Sequence, residues 1–243
     1  MGGSVDSVYC HTAAIAAGAA SIAHLRLNLR GADRSGQDFY HAGLVADLEA
    51  ALASPELARF RHLLVLGYSL GGHMVLRYAL NPSDSRVRAV AAICPPLNLS
   101  LAAEAINRFE TQIYQRFLLH GLCAIYREVA LRRSVPTTIA QARAVRTIRE
   151  WDEATVVPRF GFQSAEDYYD QMSVAPRLPD LQLPALLVTS DQDPMVPIWS
   201  YGDALRRPLP KLSWWKLPTG GHVAFPKRQA VEQQVIHWLQ GQA

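Results

Sequence analysis

Leu63-Leu64-Val65-Leu66-Gly67-Tyr68-Ser69-Leu70-Gly71-Gly72, running on into His73-Met74-Val75-Leu76-Arg77-Tyr78-Ala79-Leu80, decides how the chain is read. Four consecutive apolar residues predict a strand buried on both faces. His73 to Leu80 fits a helix, which Pro82 ends. Between them lies Gly67-x-Ser69-x-Gly71, a strand-to-helix turn with a serine at its apex. So abrupt a turn brings backbones together and strains the φ/ψ of the apex residue, and a Cβ on either side would clash. The turn lifts the Ser69 hydroxyl above the sheet. It also puts the Leu70 N–H at a helix N-terminus, where it can donate to a developing oxyanion. The bare pattern arises readily by chance. The strand before it and the helix after it distinguish a nucleophile elbow from an ordinary glycine-rich turn.

Outward from this turn, the chain alternates strands and helices on both sides of a helical stretch. Upstream, Ser7 to Ala20 predicts a helix, the alternation His24-Leu25-Arg26-Leu27-Asn28-Leu29 a strand, and His41 to Ala53 a second helix. Downstream, Arg88 to Cys94 reads as a strand closed by Pro95-Pro96. The rhythm then stops from Leu97 to Asp180. Leu101 to Arg133 looks helical with Gly121 as a candidate break, Thr137 to Glu150 forms another helix, and Trp151 to Pro179 is irregular apart from a short helix at Ser164 to Gln171. Strands at Ala185 to Thr189 and Leu212 to Leu217, with helices at Ile198 to Arg206 and Lys227 to Gln240, resume it. The expected architecture is α/β. Residues 1–96 and 181–243 form a mostly parallel sheet with helices on both faces, and the insertion 97–180 sits over the strand ends as a lid.

Composition narrows the function classes. A chain of 243 residues that is 49% hydrophobic can bury one substantial core. A net charge of +3 without an aromatic-interleaved basic patch gives no argument for a nucleic-acid partner, and none is expected. Cys10, Cys94 and Cys123 are odd in number and far apart, which suits a reducing, cytoplasmic compartment and small core residues. No stretch is long enough to span a membrane, and the apolar Ala13 to Ala23 lacks the basic flank of a signal peptide. Arg127, Arg132, Arg133, Arg143, Arg146 and Arg149 read as a solvated face of the insertion, with peripheral contact to anionic lipid or contact to a substrate carboxylate as the alternative.

A serine hydroxyl is a weak nucleophile that needs a base, held in turn by a third group. Where such an elbow is catalytic, the chain order is Ser, acid, His. His222 follows Gly220-Gly221 after the last strand, at the sheet end where parallel α/β sites lie. His11, His41 and His237 fall on predicted helices, His24 and His62 at strand starts, and His120 in the insertion. His73, one turn into the elbow helix, reads as packing. Asp191 and Asp193 both follow a strand. Pro194 biases Asp193 to the extended conformation that would reach the His222 loop, which favours it over Asp191; both could instead be turn-formers.

As a set, these motifs resemble the YheT-like, esterase- and lipase-like branch of the α/β-hydrolases. Asn28-Leu29-Arg30-Gly31, His41-Ala42-Gly43, the elbow, Phe160-Gly161-Phe162, Glu166-Asp167-Tyr168-Tyr169, Asp193-Pro194 and Gly220-Gly221-His222 carry the resemblance in order along nearly the whole chain. It implies a catalytic triad of Ser69, Asp193 and His222 that cleaves short- or medium-chain carboxylic esters, small or lipid-derived, through an acyl-enzyme, with no metal or organic cofactor. The family's oxyanion motif ends in His-Gly-x-Gly/Glu-Gly-Ser, and Met1-Gly2-Gly3-Ser4 matches only its tail. The resemblance therefore implies an oxyanion hole made by Leu70 with Met1 at the second position, and upstream strands beyond the sequence as given. The alternatives are an acyltransferase on the same triad and a catalytically silent binding module with the same fold.

Overall fold

The computed structural model describes residues 3–226 and 228–243. In chain order its helices and strands are α1 (Val8–Ala19), α2 (Ala46–Leu52), β1 (Leu63–Tyr68), α3 (Leu70–Ala79) and β2 (Val87–Ile93). The helices α4 (Leu99–Ile106), α5 (Gln112–Ala130), α6 (Ile139–Ala144), α7 (Ile148–Trp151), α8 (Val157–Phe160) and α9 (Ala165–Met172) follow. The strands β3 (Ala185–Ser190) and β4 (Leu212–Leu217) and the helix α10 (Arg228–Gln240) complete the chain.

The four strands lie in the order β1-β2-β3-β4, every neighbouring pair parallel. Side chains alternate between the faces of a strand, and the two faces carry separate cores. Ala89, Ala91 and Ile93 of β2 meet Ala16 and Ala17 of α1 and Val235 and Leu239 of α10. Val90 and Ala92 point the other way, toward Leu48 and Leu52 of α2 and Val75 and Leu76 of α3. The six helices from α4 to α9 stand between β2 and β3 in sequence and have a third core. Leu118, Leu122, Tyr126 and Trp151 belong to it, and so do Phe39 and Tyr40 from upstream and Leu70 at the elbow. This third core brings the insertion onto the end of the sheet where β1 gives way to α3.

Several sequence expectations change. Residues 24–29 form no strand: their peptide groups pair with no sheet neighbour, and Leu25 and Leu27 are 50% and 39% exposed. Alternation is a pattern that a strand needs, but a strand exists only through a ladder partner. The segment is held instead by side chains, with Asn28 accepting from the Val5 N–H at 2.9 Å. β1, at the edge of the described sheet, is half-buried from Leu63 to Leu66 rather than buried on both faces.

Among the helices, Gly121 does not break α5, because Leu118, Leu119, Leu122 and Ile125 fix both flanking turns in the third core. That packing outweighs the roughly 1 kcal/mol glycine penalty. The expected helix 137–150 splits at the extended Val145, where Thr147 caps a new helix by accepting from the Glu150 N–H. Residues 151–160, expected to be irregular, continue that helix through a π-turn at Asp152–Val156. The helix expected at 198–206 is a single 3-10 turn at Ile198–Tyr201. Several of the insertion's arginines are paired rather than simply solvated: Arg133 and Arg159 both reach Asp38, and Arg149 binds Glu166.

Candidate active site

Ser69 sits between the last residue of β1 and the first of α3, with φ 50° and ψ −120°. Such a conformation is costly for a side chain other than glycine and persists only where the surroundings impose it. Here they do: the Ser69 N–H extends the ladder to the Ile93 carbonyl at 2.8 Å, and the Ser69 carbonyl accepts from the His73 N–H at 3.0 Å. The close approach falls at Gly67, where a Cβ would lie 2.3 Å from the Gly71 carbonyl oxygen, and at Gly72, where it would lie 3.1 Å from that of Gly67. Gly71 was expected to share this role, but a Cβ there meets nothing within 4 Å. At that position it is the backbone, not the missing side chain, that crowds Gly67.

The Ser69 hydroxyl faces His222 Nε2 at 2.8 Å, and His222 Nδ1 faces Asp193 Oδ2 at 2.9 Å. A carboxylate only accepts, so Nδ1 carries the ring proton and Nε2 is left to accept from the Ser69 O–H. Asp193 is fixed by its other oxygen, which accepts from the backbone N–H groups of Met195 and Val196 at 2.9 and 3.0 Å. Its side chain is 1% exposed and that of His222 is 11% exposed, so the relay is shielded from water without being closed off. His222 is presented by a tight loop. Gly220 has φ 124°, a Cβ there would meet the Phe225 ring at 2.6 Å, and the Ser190 hydroxyl holds the Gly220 carbonyl.

Asp191 does not join this group. Its side chain is 41% exposed and pairs with Lys216 at 2.9 Å on the outside of the sheet end. Leu70 N, as the first amide of α3, has no acceptor within its own helix and is available beside Ser69. Met1, expected at the second oxyanion position, lies outside the described residues.

Cys94, Asp193 and His222 bring three metal-ligand atoms within 4.8 Å of one another. His222 Nδ1 and Asp193 Oδ2 already satisfy each other, however. Burial, then the nearby Asp193 charge, pushes the Cys94 thiol far above its usual range, so it stays protonated and is a poor ligand.

An apolar cavity opens beside Ser69 and His222, walled largely by side chains of the insertion such as Leu99, Leu118, Leu122 and Ile148. Two of its polar residues were not expected at the site. His41 lies in a turn rather than on the expected helix and lines the wall, its ring among Phe160, Phe162 and Tyr168. Its Nδ1 accepts from the Gly43 N–H at 3.2 Å, and burial lowers its pKa to about 4, so the ring is neutral. Asp152 also lines the cavity, accepting from the Tyr169 hydroxyl at 2.7 Å, and burial raises its pKa to about 7. The local sequence marks His41 only as part of the His41-Ala42-Gly43 motif and Asp152 not at all, and the place of both in the cavity wall depends on how distant segments fold together.

Comparison with known proteins identifies the fold family. Residues 1–229 match the family described as the alpha/beta hydrolase fold. The chain is 29% identical to the "Putative esterase YheT" of Escherichia coli (strain K12) over 98% of its own length and 71% of that protein's. It is 26% identical to the "Monoacylglycerol lipase" of Saccharomyces cerevisiae over 69% of its length, but spans only 39% of that relative. Among solved structures, the "Alpha/beta hydrolase domain-containing protein 10 from mouse" superposes with a TM-score of 0.57 at 13% identity, covering 99% of this chain and 86% of that one, which marks a shared fold. No helix among the described residues is long and apolar enough to cross a membrane.

Proposed function

The chain belongs to the alpha/beta hydrolase fold family, and from that premise we propose that it hydrolyses carboxylic esters through an acyl-enzyme on Ser69. The observation that carries this reading is the hydrogen-bonded series Ser69–His222–Asp193 at the mouth of an apolar cavity. Relatives named as esterase and monoacylglycerol lipase point to the same class of substrate.

In the first half of the reaction, Ser69 Oγ attacks the ester carbonyl while His222 Nε2 takes its proton. Asp193 stabilises the imidazolium that forms and keeps the ring in register. Negative charge gathers on the carbonyl oxygen, where the Leu70 N–H at the positive end of α3 donates to it. His222 then returns the proton to the departing alkoxide. Water, activated by the same imidazole, releases the acid in the second half. An apolar wall is what retains an acyl chain, and residues 97–180 act in this scheme as the lid that supplies it. A relative named as a medium-chain fatty acid ethyl ester synthase/esterase points to short or medium acyl groups. No step requires a metal or organic cofactor, and three unpaired cysteines fit a reducing, cytoplasmic setting.

The test is hydrolysis of a p-nitrophenyl ester series by wild type, Ser69→Ala and His222→Ala. Each variant should lose nearly all activity while remaining folded. Ethanol added to the same reaction separates the acyltransferase alternative, since ethyl ester would then accumulate in preference to free acid. Failure of the protein to turn over or bind any ester would support the silent binding module.

A further inference from the structure

The cavity beside Ser69 holds one acidic group in an otherwise apolar stretch of wall. Asp152 is 7% exposed and stands among Ile148, Trp151 and Val156. One carboxylate oxygen, Oδ2, accepts from the Tyr169 hydroxyl at 2.7 Å. The other, Oδ1, has no hydrogen-bond partner among the described residues. Among the described residues no salt bridge holds it; the Arg149 guanidinium is bound to Glu166, and its charge reaches Asp152 only from a distance. Oδ1 is not among the polar atoms sealed from solvent without a partner, and Asp152 lines the cavity, so a bound molecule can reach it.

The local backbone is built around this residue. Pro158 has no N–H, and in an ordinary α-helix its ring would collide with the carbonyl four residues earlier. The helix from Ile148 to Phe160 avoids that by widening into a π-turn at Asp152–Val156, in which the Val157 N–H reaches back five residues to the Asp152 carbonyl. The Thr155 hydroxyl caps the Trp151 carbonyl at 2.8 Å. Single π-turns inside α-helices occur frequently at functional sites. Asp152 is the first residue of this π-turn and lines the cavity.

We propose that Asp152 is a specificity-determining residue that binds a hydroxyl carried by the substrate at a distance from its ester group. The proposal rests on the reading of this cavity as the ester-binding site. A hydroxyl fits better than an ammonium group for two reasons. It donates to a carboxylate and also accepts from a carboxylic acid, and burial pushes Asp152 up to about 7, so that both forms occur near neutrality. The positive charge of Arg149 also acts on this position, which disfavours a second cation. The hydroxyl could sit on the acyl chain or on the alcohol portion, and both present the same chemistry to Asp152.

Two ester series distinguish these sources. In one, a hydroxyl is moved carbon by carbon along the acyl chain of a p-nitrophenyl ester. In the other, the acyl chain is fixed and simple alkyl esters are compared with glycol and glycerol esters. Wild type should prefer one hydroxylated ester over its plain counterpart by about tenfold or more in kcat/KM, the size expected for one charge-assisted hydrogen bond. Asp152→Leu should bring that ratio to about one.

Asp152→Asn, a variant that preserves shape, provides a second readout. At mildly alkaline pH the wild-type carboxylate should reject the O-methyl ether of the preferred hydroxyl, which can only accept. The amide can donate, so Asp152→Asn should bind ether and alcohol alike. The same ligand pairs titrated into Ser69→Ala, followed by Trp151 fluorescence with Trp151→Phe as control, measure the preference without catalysis. Asp152 is therefore judged even if ester hydrolysis on Ser69 fails. Hydroxyl ratios within twofold of one at every position would overturn the proposal. So would a preference that survives Asp152→Leu, or a variant that lowers Tm while leaving the ratios and ether discrimination unchanged.

Discussion

Asp193→Asn changes the position of a proton while leaving the shape of the site almost intact. Asp193 Oδ1 accepts from the Met195 and Val196 N–H groups at 2.9 and 3.0 Å, while Oδ2 faces His222 Nδ1 at 2.9 Å. The substituted amide must keep its oxygen toward the two backbone donors. Flipped, it would set its NH₂ against both, at about 1–3 kcal/mol for each donor left unmatched. Its NH₂ therefore faces His222 Nδ1, which can only accept there. The ring proton moves to Nε2 and points at Ser69 Oγ, 2.8 Å away, where a base is needed. The expected loss in kcat is about 10⁴-fold, or about 5 kcal/mol in activation free energy, with little change in stability. Initial rates of p-nitrophenyl ester hydrolysis measure the first quantity and urea denaturation the second. Asp191→Asn is the control: its half-exposed ion pair with Lys216 contributes little, so activity should stay near wild type. A folded Asp193→Asn enzyme within tenfold of wild type would refute the reasoning, and loss in Asp191→Asn instead would reassign the acid.

Gly67→Ala should destabilise the fold by about 1–3 kcal/mol and cost activity about 10²-fold, because its Cβ would sit 2.3 Å from the Gly71 carbonyl oxygen and displace Ser69; thermal denaturation and kcat check both. Leu122→Trp fills the cavity from α5, so kcat/KM for octanoyl relative to acetyl esters should fall about tenfold or more, and a flat chain-length profile would remove α5 from substrate binding. Burial holds His41 at about 4 in the folded protein, so the unfolded chain binds more protons between that value and about 6.5, and stability falls as pH drops through this window. The loss is about 2 kcal/mol for this residue between pH 7 and pH 5. Asp152, raised to about 7, acts in the opposite sense, so urea denaturation should compare wild type with His41→Phe, whose ring fits among Phe160, Phe162 and Tyr168 and whose stability should fall less on acidification.

The parts of this protein that could be read from sequence are those set by local chemistry. The apolar run before Gly67-x-Ser69, the helix after it and the β-rich segments at Ala185 and Leu212 predict elements that the structure contains, within a few residues at each end. Asp193 was separable from Asp191 because Pro194 restricts the backbone just before it. Non-local effects were not legible. Residues 24–29 have the alternation of a strand but no partner, and a sequence does not display its hydrogen-bonding neighbours. Trp151 to Phe160 lies in the stretch read as irregular, and the π-turn that carries the helix through it past Pro158 has no simple periodic signal. His41 and Asp152 become cavity residues only when the turn at Tyr40–Gly43 and the insertion close over Ser69.

The most direct test of the central claim is rapid-quench mass spectrometry of the protein mixed with a p-nitrophenyl ester. If Ser69 is the nucleophile, the protein gains one acyl group within the first turnover. The adduct maps to the peptide carrying Ser69 and decays at the steady-state rate, and Ser69→Ala gains none. Steady hydrolysis without an adduct, an adduct on another residue, or undiminished hydrolysis by Ser69→Ala would contradict the account.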